Sequence, residues 1–541
     1  AGRGGPTTGY GFYLLNPCNR FWILAFGVQD VGSFNKLSHR LIQLPIRLRL
    51  FAISSVAAIA TTAASLLPAI AQDAQGICPA ALPEAIATLT DQPQFSRTRW
   101  GILVETVDQS ATLYAREAEH FFIPASNAKL LTTAAALTAL GAEYQVQTTV
   151  VQLNPAESTA ATPESLRIAL VGQGDPALGD GALRSLAEQL RDRGITEIAE
   201  LWVDDHFFGG EQVNPNWEWE DVQAGYGAPA NSLMVNGNAI AFRLIPQALG
   251  QPLRVEWDDP AQTTRWRIEN RSRTVAATEP EFTAVGRDLS RPILYLSGQL
   301  RVGAEPDDGA IAIPDPTTNA LQRFQHQLQA VGITVDQRQI APAPTPANAP
   351  VLAVQPSDPL ADWVRVANQD SDNLYAEALL RHLGVASVPM SSASSLQSGI
   401  DAVETTLQAI EVDSTGFALV DGSGIARQNL ASPAALVQTL QAMARSPHAQ
   451  VYLESLAIAG NSGTLRNRFQ GTAAEGRLYG KTGALSGAAA LSGYLFPPNH
   501  QPLAFSILVN HFDQPVRTVR PVMDAIVLQL MELRSDCGAN D

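Results

Sequence analysis

Residues 130–140 read Leu-Leu-Thr-Thr-Ala-Ala-Ala-Leu-Thr-Ala-Leu, without a single charge, and the run stops at Gly141. Glycine just past an apolar run is a natural helix stop, so this stretch predicts a helix. A helix that is apolar on every side has no face to offer water and must be enclosed by protein. The enclosing elements are not next in the chain. From about Tyr144 to Val335 the sequence breaks into short β-like runs, at 148–153, 166–171, 200–203, 239–244 and 293–300, divided by Gly, Pro and Asp turns. Helical stretches at 182–193 and 317–331 interrupt them. Residues 341–351, with Pro342, Pro344, Pro346 and Pro350, have the composition of a linker. Helices then dominate at 359–368, 374–383, 396–410 and 433–444, followed by strands at 488–495 and 503–509 and a last helix at 516–534. A helix at 81–89 and a strand at 100–107 precede the apolar run. The enclosed helix therefore needs walls from hundreds of residues downstream. This predicts one α/β domain split by an insertion: 72–143 and 351–541 form the split domain, and 144–350 the insertion.

The chain begins differently. Arg40, Arg47 and Arg49 lead into an uncharged run from Leu50 to Ala71 that ends in Ala69-Ile70-Ala71 before Gln72-Asp73. A basic segment, an apolar segment and an A-x-A ending together read as a secretory signal peptide, with cleavage expected after Ala71. The competing reading is a retained membrane anchor, since about 20 apolar residues can span a bilayer. Residues 1–71 are thus read as an extension plus signal peptide, of which 1–34 begin without Met and read as an upstream extension of the frame. Cys78 and Cys537 remain after such cleavage, one near each end of the mature chain. In an oxidising compartment such a pair persists, so a Cys78–Cys537 disulfide is expected, against the alternative of two free thiols. Export to the periplasm or another extracytoplasmic space follows. A net charge of −16 excludes the basic stripe that a nucleic-acid binder uses to neutralise phosphates.

Three short motifs carry chemistry. Ser126-Asn127-Ala128-Lys129 is S-x-x-K, Ser371-Asp372-Asn373 is S-D-N, and Lys481-Thr482-Gly483 is K-T-G. Positions i and i+3 share a helix face, so the Lys129 amine can approach the Ser126 hydroxyl. A hydroxyl is a poor nucleophile until a neighbouring base takes its proton. Lysine serves as that base only if burial or a nearby cation lowers its pKa, and Lys481 is expected to supply the cation. Each motif alone has a bland reading: Ser126 as a helix cap, Lys129 as a solvated helix residue, Ser371 as the cap of the helix near Leu374, Lys-Thr-Gly as a turn. Their conjunction, in this order and each at an element's edge, is the pattern of penicillin-binding proteins and class A β-lactamases.

The sequence resembles the serine D-Ala-D-Ala carboxypeptidase/endopeptidases, the low-molecular-mass class C penicillin-binding proteins, over about Cys78 to Leu533. Besides the triplets, Ala228-Pro229-Ala230, Pro314-Asp315-Pro316, Asp421-Gly422-Ser423-Gly424 and Gly463-Thr464-Leu465-Arg466-Asn467-Arg468-Phe469 look like blocks of that family. The resemblance implies a β-lactamase/transpeptidase-like catalytic domain, an antiparallel sheet with helices, interrupted by a mainly β insertion with a smaller lobe nested at about 230–312. It implies that Ser126 attacks the penultimate D-alanine carbonyl of a peptidoglycan stem peptide, with Lys129 as base. Ser371 would relay a proton to the leaving amine, and Asn373 would bind the peptide amide and steady Lys129. Lys481 and Thr482 would hold the terminal carboxylate, and Gly483 would let substrate approach the strand edge. The Ser126 and Ala484 N–H groups would form the oxyanion hole. Asp204 matches a family position on the insertion that contacts the stem-peptide diamino acid; its bland reading is a turn after a strand. β-Lactams would acylate the same serine, and no cofactor or metal is implied. Two other readings compete, a serine β-lactamase and a non-catalytic binding module that kept the fold. Trp217 and Trp219 read as packing, 172–176 as a turn, and 421–424 as a tight loop without a chemical role.

Overall fold

A computed structural model describes residues 76–153, 166–388 and 394–537. The signal-peptide segment and Cys18 lie outside the described residues. Among these residues no helix is long and apolar enough to cross a membrane.

A six-stranded antiparallel sheet forms the heart of the split domain. Its order is Ala457–Ile458, Leu478–Leu485, Ala488–Leu495, Leu503–Asn510, Arg99–Thr106, Thr112–Arg116. Strands from residues 99–116 thus lie beside strands from beyond residue 457. The two central strands, Ala488–Leu495 and Leu503–Asn510, are buried at all eight positions each, as expected for strands covered on both faces. One face is covered by helices Leu82–Thr90 and Val516–Met531, through Ile86, Trp100, Ile507 and Ile526. The other is covered by Ala128–Leu140 with helices Asn373–Ser387, Ser395–Ala409 and Pro433–Arg445. Ala128 to Leu137 are all buried, so the apolar run is enclosed as its composition demands. Its three fully buried leucines, Leu130, Leu131 and Leu137, each contribute about 2 kcal/mol of burial. Cys78 and Cys537 are disulfide-bonded with Cα atoms 5.8 Å apart, beside a bridge between Ile77 and Leu533.

The intervening chain makes its own layers. A five-stranded sheet runs Thr334–Ile340, Glu197–Asp204, Arg167–Val171, Gln147–Gln152, Val351–Pro356. Helices Asp180–Asp192 and Pro316–Ala330 pack on it through Leu186, Leu190, Phe324 and Leu328. Val351–Pro356, expected to open the second part of the split domain, instead pairs with Gln147–Gln152. That strand therefore belongs to this five-stranded sheet and not to the six-stranded one. Residues 239–312 add two three-stranded sheets around Phe242, Trp257, Trp266 and Leu294.

A strap from the insertion, residues 209–227, lies against the split domain. Arg381 Nη2 donates to the Glu211 carbonyl, Asn214 Nδ2 donates to the Val420 carbonyl at 2.7 Å, and Trp217 Nε1 donates to Asp421 Oδ2 at 2.9 Å. Buried His382 makes a second tie, its Nε2 3.0 Å from the Gly174 carbonyl oxygen.

Candidate active site

Ser126 lies in a single 3-10 turn, Ala125–Asn127, that runs directly into Ala128–Leu140. The turn is held against the sheet by Asn127, which is fully buried. Its amide oxygen accepts from Ser492 Oγ at 2.7 Å, and its nitrogen donates to the Lys481 carbonyl at 2.9 Å. Ala125 has φ +47°, a region costly for a residue with a Cβ. Two glycines make room for this turn. A Cβ on Gly483 would lie 2.9 Å from the Pro124 carbonyl oxygen and 3.0 Å from Ser126 N, and one on Gly424 only 1.9 Å from the Ala125 carbonyl oxygen. The space at Gly483 is thus taken by the serine turn, where the sequence reading reserved it for a substrate backbone.

Lys129, one helical turn on, points its amine back at the serine. Its Nζ donates to Ser126 Oγ at 3.1 Å, to Asn373 Oδ1 at 2.6 Å and to the Ser423 carbonyl at 2.6 Å. Burial pushes the Lys129 amine down to about 8, against the pull of Asp421, Asp372 and Glu377. The sequence reading left burial and a nearby cation, Lys481, both open as causes. Burial is the main cause for Lys129, and Lys481 is likewise pushed well below its usual value, first by burial and then by the neighbouring Lys129.

A neutral lysine has two N–H groups and one lone pair. Here two of the three partners, the Asn373 amide oxygen and the Ser423 carbonyl, can only accept. Once Lys129 is neutral both take its N–H groups, and the lone pair is left for the Ser126 hydroxyl. In the neutral form, then, the Lys129 lone pair faces the Ser126 hydroxyl.

Ser371 does not cap the helix that follows. Asp372 does so, its side chain accepting from Tyr375 N, while Ser371 sits in the left-handed region at φ 63°. That conformation leaves the Ser371 hydroxyl to accept from Lys481 Nζ at 2.8 Å; Lys481 also donates to the Thr482 carbonyl at 2.9 Å. Asn373 gives one Nδ2 hydrogen to the Tyr226 carbonyl at 2.9 Å and keeps a second for another acceptor.

K-T-G lies in the middle of strand Leu478–Leu485 rather than at its start. The short neighbour Ala457–Ile458 pairs only with Gly480 and Tyr479, so this edge is open from Lys481 onward. The bond from Phe496 N to the Arg477 carbonyl and the unbroken register fix which residues bond inward. Hydrogen-bonding direction alternates along an antiparallel strand, so the N–H groups of Thr482 and Ala484 face the open edge. The Thr482 hydroxyl donates to Thr464 Oγ1 at 2.9 Å.

The structure thus brings together Ser126, Lys129, Ser371, Asn373, Lys481, Thr482, Gly483 and Ala484. Asp204 stands apart from them. It is 3 % exposed. Its carboxylate accepts from Thr345 N at 2.6 Å, His206 N at 3.0 Å and His206 Nδ1 at 2.8 Å, so it is engaged within the insertion rather than presented to a ligand. Trp217 is buried, but Trp219 is 63 % exposed and packs little. The sequence reading missed the 421–424 loop: the Ser423 carbonyl holds Lys129, and fully buried Asp421 accepts from the Gly424 and Ala426 N–H groups. Its signal was an acidic residue within a Gly/Ser turn.

A family model described as the D-Ala-D-Ala carboxypeptidase 3 (S13) family matches residues 82–530. The chain is similar to the D-alanyl-D-alanine carboxypeptidase of Actinomadura sp. (strain R39), 32 % identical over 481 residues, covering 86 % of this chain and 87 % of that one. Among solved structures, penicillin binding protein 4 (dacB) from Haemophilus influenzae superposes with a TM-score of 0.69 at 24 % identity, over 82 % of this chain and 98 % of that one. A second structure of that protein, complexed with a β-lactam, gives a TM-score of 0.65 at 22 % identity over 83 % of this chain and 98 % of that one.

Proposed function

The chain belongs to the D-Ala-D-Ala carboxypeptidase 3 (S13) family, and on that premise we propose that it hydrolyses D-alanyl-D-alanine bonds of peptidoglycan stem peptides through an acyl-enzyme on Ser126. One observation carries the assignment of roles: Lys129 Nζ lies 3.1 Å from Ser126 Oγ with two acceptors fixing its N–H groups. Neutral Lys129 takes the Ser126 proton as Oγ attacks the penultimate D-alanine carbonyl. Negative charge develops on that carbonyl oxygen, which the Ser126 and Ala484 N–H groups receive. One such donor typically lowers the barrier by about 3 kcal/mol. Collapse breaks the C–N bond, and the proton reaches the leaving amine through Ser371. Terminal D-alanine departs, its carboxylate released from Lys481 and Thr482. Water then attacks the ester, giving a proton to Lys129, and Ser126 leaves as the free hydroxyl.

With a β-lactam, the leaving nitrogen stays tethered to the acyl group, so covalent inhibition follows from the same attack. We read the protein as exported: the Cys78–Cys537 disulfide fits an oxidising compartment. We also read 144–356 as an insertion whose strap completes the site, since Tyr226 holds Asn373. The test is D-alanine release from a stem pentapeptide and, for a cross-linked dimer, release of the two monomers. Release by the wild type and none by Ser126→Ala supports the proposal; equal release by both contradicts it. Rapid benzylpenicillin turnover without stem-peptide cleavage would favour a β-lactamase.

A further inference from the structure

Behind the serine and its lysine, helix Asn373–Ser387 carries a carboxylate with no water contact. Glu377 is 1 % exposed. Its Oε1 accepts two adjacent backbone N–H groups, from Gly422 at 3.0 Å and from Ser423 at 2.9 Å. Ser423 is the residue whose carbonyl accepts from Lys129 Nζ at 2.6 Å. Glu377 and Lys129 therefore grip the same residue from its two ends, one at the N–H and the other at the C=O. A buried carboxylate is costly unless its hydrogen bonds and charge are compensated, and fixing this loop by packing alone would need none. The loop has no slack elsewhere: a Cβ on Gly422 would lie 2.7 Å from the Ala376 carbonyl oxygen.

We propose that Glu377 is a positioning residue for the base: it clamps the Gly422–Ser423 backbone so that the Ser423 carbonyl holds one Lys129 N–H, and its charge biases the Lys129 amine. The inference rests on the reading of Lys129 as the base. The charged groups interacting with Glu377 are Lys129 from the serine helix, Asp421 from the clamped loop and Arg381 from its own helix, and Asp372, the cap of that helix, acts on the same Lys129. Asp205 and Glu211 of the insertion act on Glu377 through Arg381. Arg381 is also buried, and its hydrogen bonds go to Ser395 Oγ and the Glu211 carbonyl, so Glu377 has no direct ion pair with it. Burial first, then Asp421, raises the Glu377 carboxyl to about 7. The hydrogen bonds from Ser423 and Gly422 oppose that rise by favouring the ionised form.

The sign is fixed. Negative charge favours the ammonium form, so removing it makes Lys129 easier to deprotonate. Glu377→Gln keeps an oxygen for both N–H groups and removes the charge. Glu377→Asp keeps the charge but shortens the reach by one methylene.

The experiment measures the rate of acylation of the full chain by a fluorescent penicillin across the pH range in which Lys129 titrates, with thermal unfolding as the check on folding. Glu377→Gln is expected to move the rising limb down by about half a pH unit or more. Glu377→Asp is expected to leave the limb near the wild-type position and lower its plateau by about tenfold or more. A Glu377→Gln limb that coincides with the wild-type limb overturns the inference, as does a wild-type plateau in Glu377→Asp. If Glu377→Gln does not fold, the aspartate variant still decides. Failure of the underlying reading shows differently, as a wild type that takes no label.

Discussion

At the scale of single residues, the proposed chemistry turns on how a lysine becomes a base without becoming an orphan. Burial lowers the Lys129 amine to about 8, and two acceptors stay ready for the N–H groups that remain. Activity that requires the neutral amine should rise with pH through about 8, because the protonated form predominates below that value. A profile of kcat/KM on stem pentapeptide checks this, and a flat profile through that range would exclude Lys129 as the base. Gly483 gives a second residue-level prediction. Its α-carbon faces the serine turn so closely that a methyl group would meet Ser126 N at 3.0 Å. Gly483→Ala should fold yet acylate about a hundredfold more slowly, since small displacements of a nucleophile are expensive in rate; penicillin-labelling kinetics measure it. The triplets were legible in the sequence because each pairs reactive side chains with fixed spacing. Ser423 was not, because it acts through a backbone carbonyl, which every residue has. Asp204 was singled out for the opposite reason. Its side chain suits a ligand, but its hydrogen bonds are internal.

At the scale of elements, strands and helices buried on all sides announced themselves, and edge elements did not. Ala488–Leu495 and Leu503–Asn510 are mostly apolar runs and were legible almost to the residue. Arg267–Val275, with sequence RIENRSRTV, is a strand whose arginines stay in solvent while Ser272 and Thr274 turn inward, so no apolar alternation marked it. Thr334–Ile340 is exposed at nearly every position and owes its conformation to parallel pairing with Glu197–Asp204, a long-range cause that local pattern cannot reveal. The 209–227 strap was likewise hidden, since it is held by scattered polar bonds and one small apolar cluster around Trp217, Ile425 and Ala426. Trp217 is the anchor that can be weighed. Trp217→Phe keeps the ring buried and deletes the N–H bonded to Asp421 Oδ2. Hydrogen bonds to charged groups contribute about 1.5–3 kcal/mol. Urea unfolding should show a loss of that order, and an unchanged midpoint would mean the strap is not held there.

For the whole molecule, the proposed insertion and the disulfide between distant segments belong together. The split domain needs residues 99–140 and 457–531 in contact, and the Cys78–Cys537 bond, 459 residues apart in sequence, restrains the unfolded chain most because it closes so long a loop. Replacing the pair with serines should cost about 2–5 kcal/mol in denaturant titration. Labelling at Ser126 should persist, since Cys78 precedes the helices that cover the opposite face of the sheet. Loss of labelling in a folded variant would contradict that separation. The central claim is that one hydroxyl among three distant motifs performs the attack, and intact-mass analysis after incubation with benzylpenicillin tests it most directly. Opening a β-lactam ring expels no fragment. The wild type should therefore gain the full mass of one antibiotic, carried on the peptide containing Ser126, and Ser126→Ala should gain none. An adduct on another residue, or an equal adduct on the alanine variant, would contradict the account.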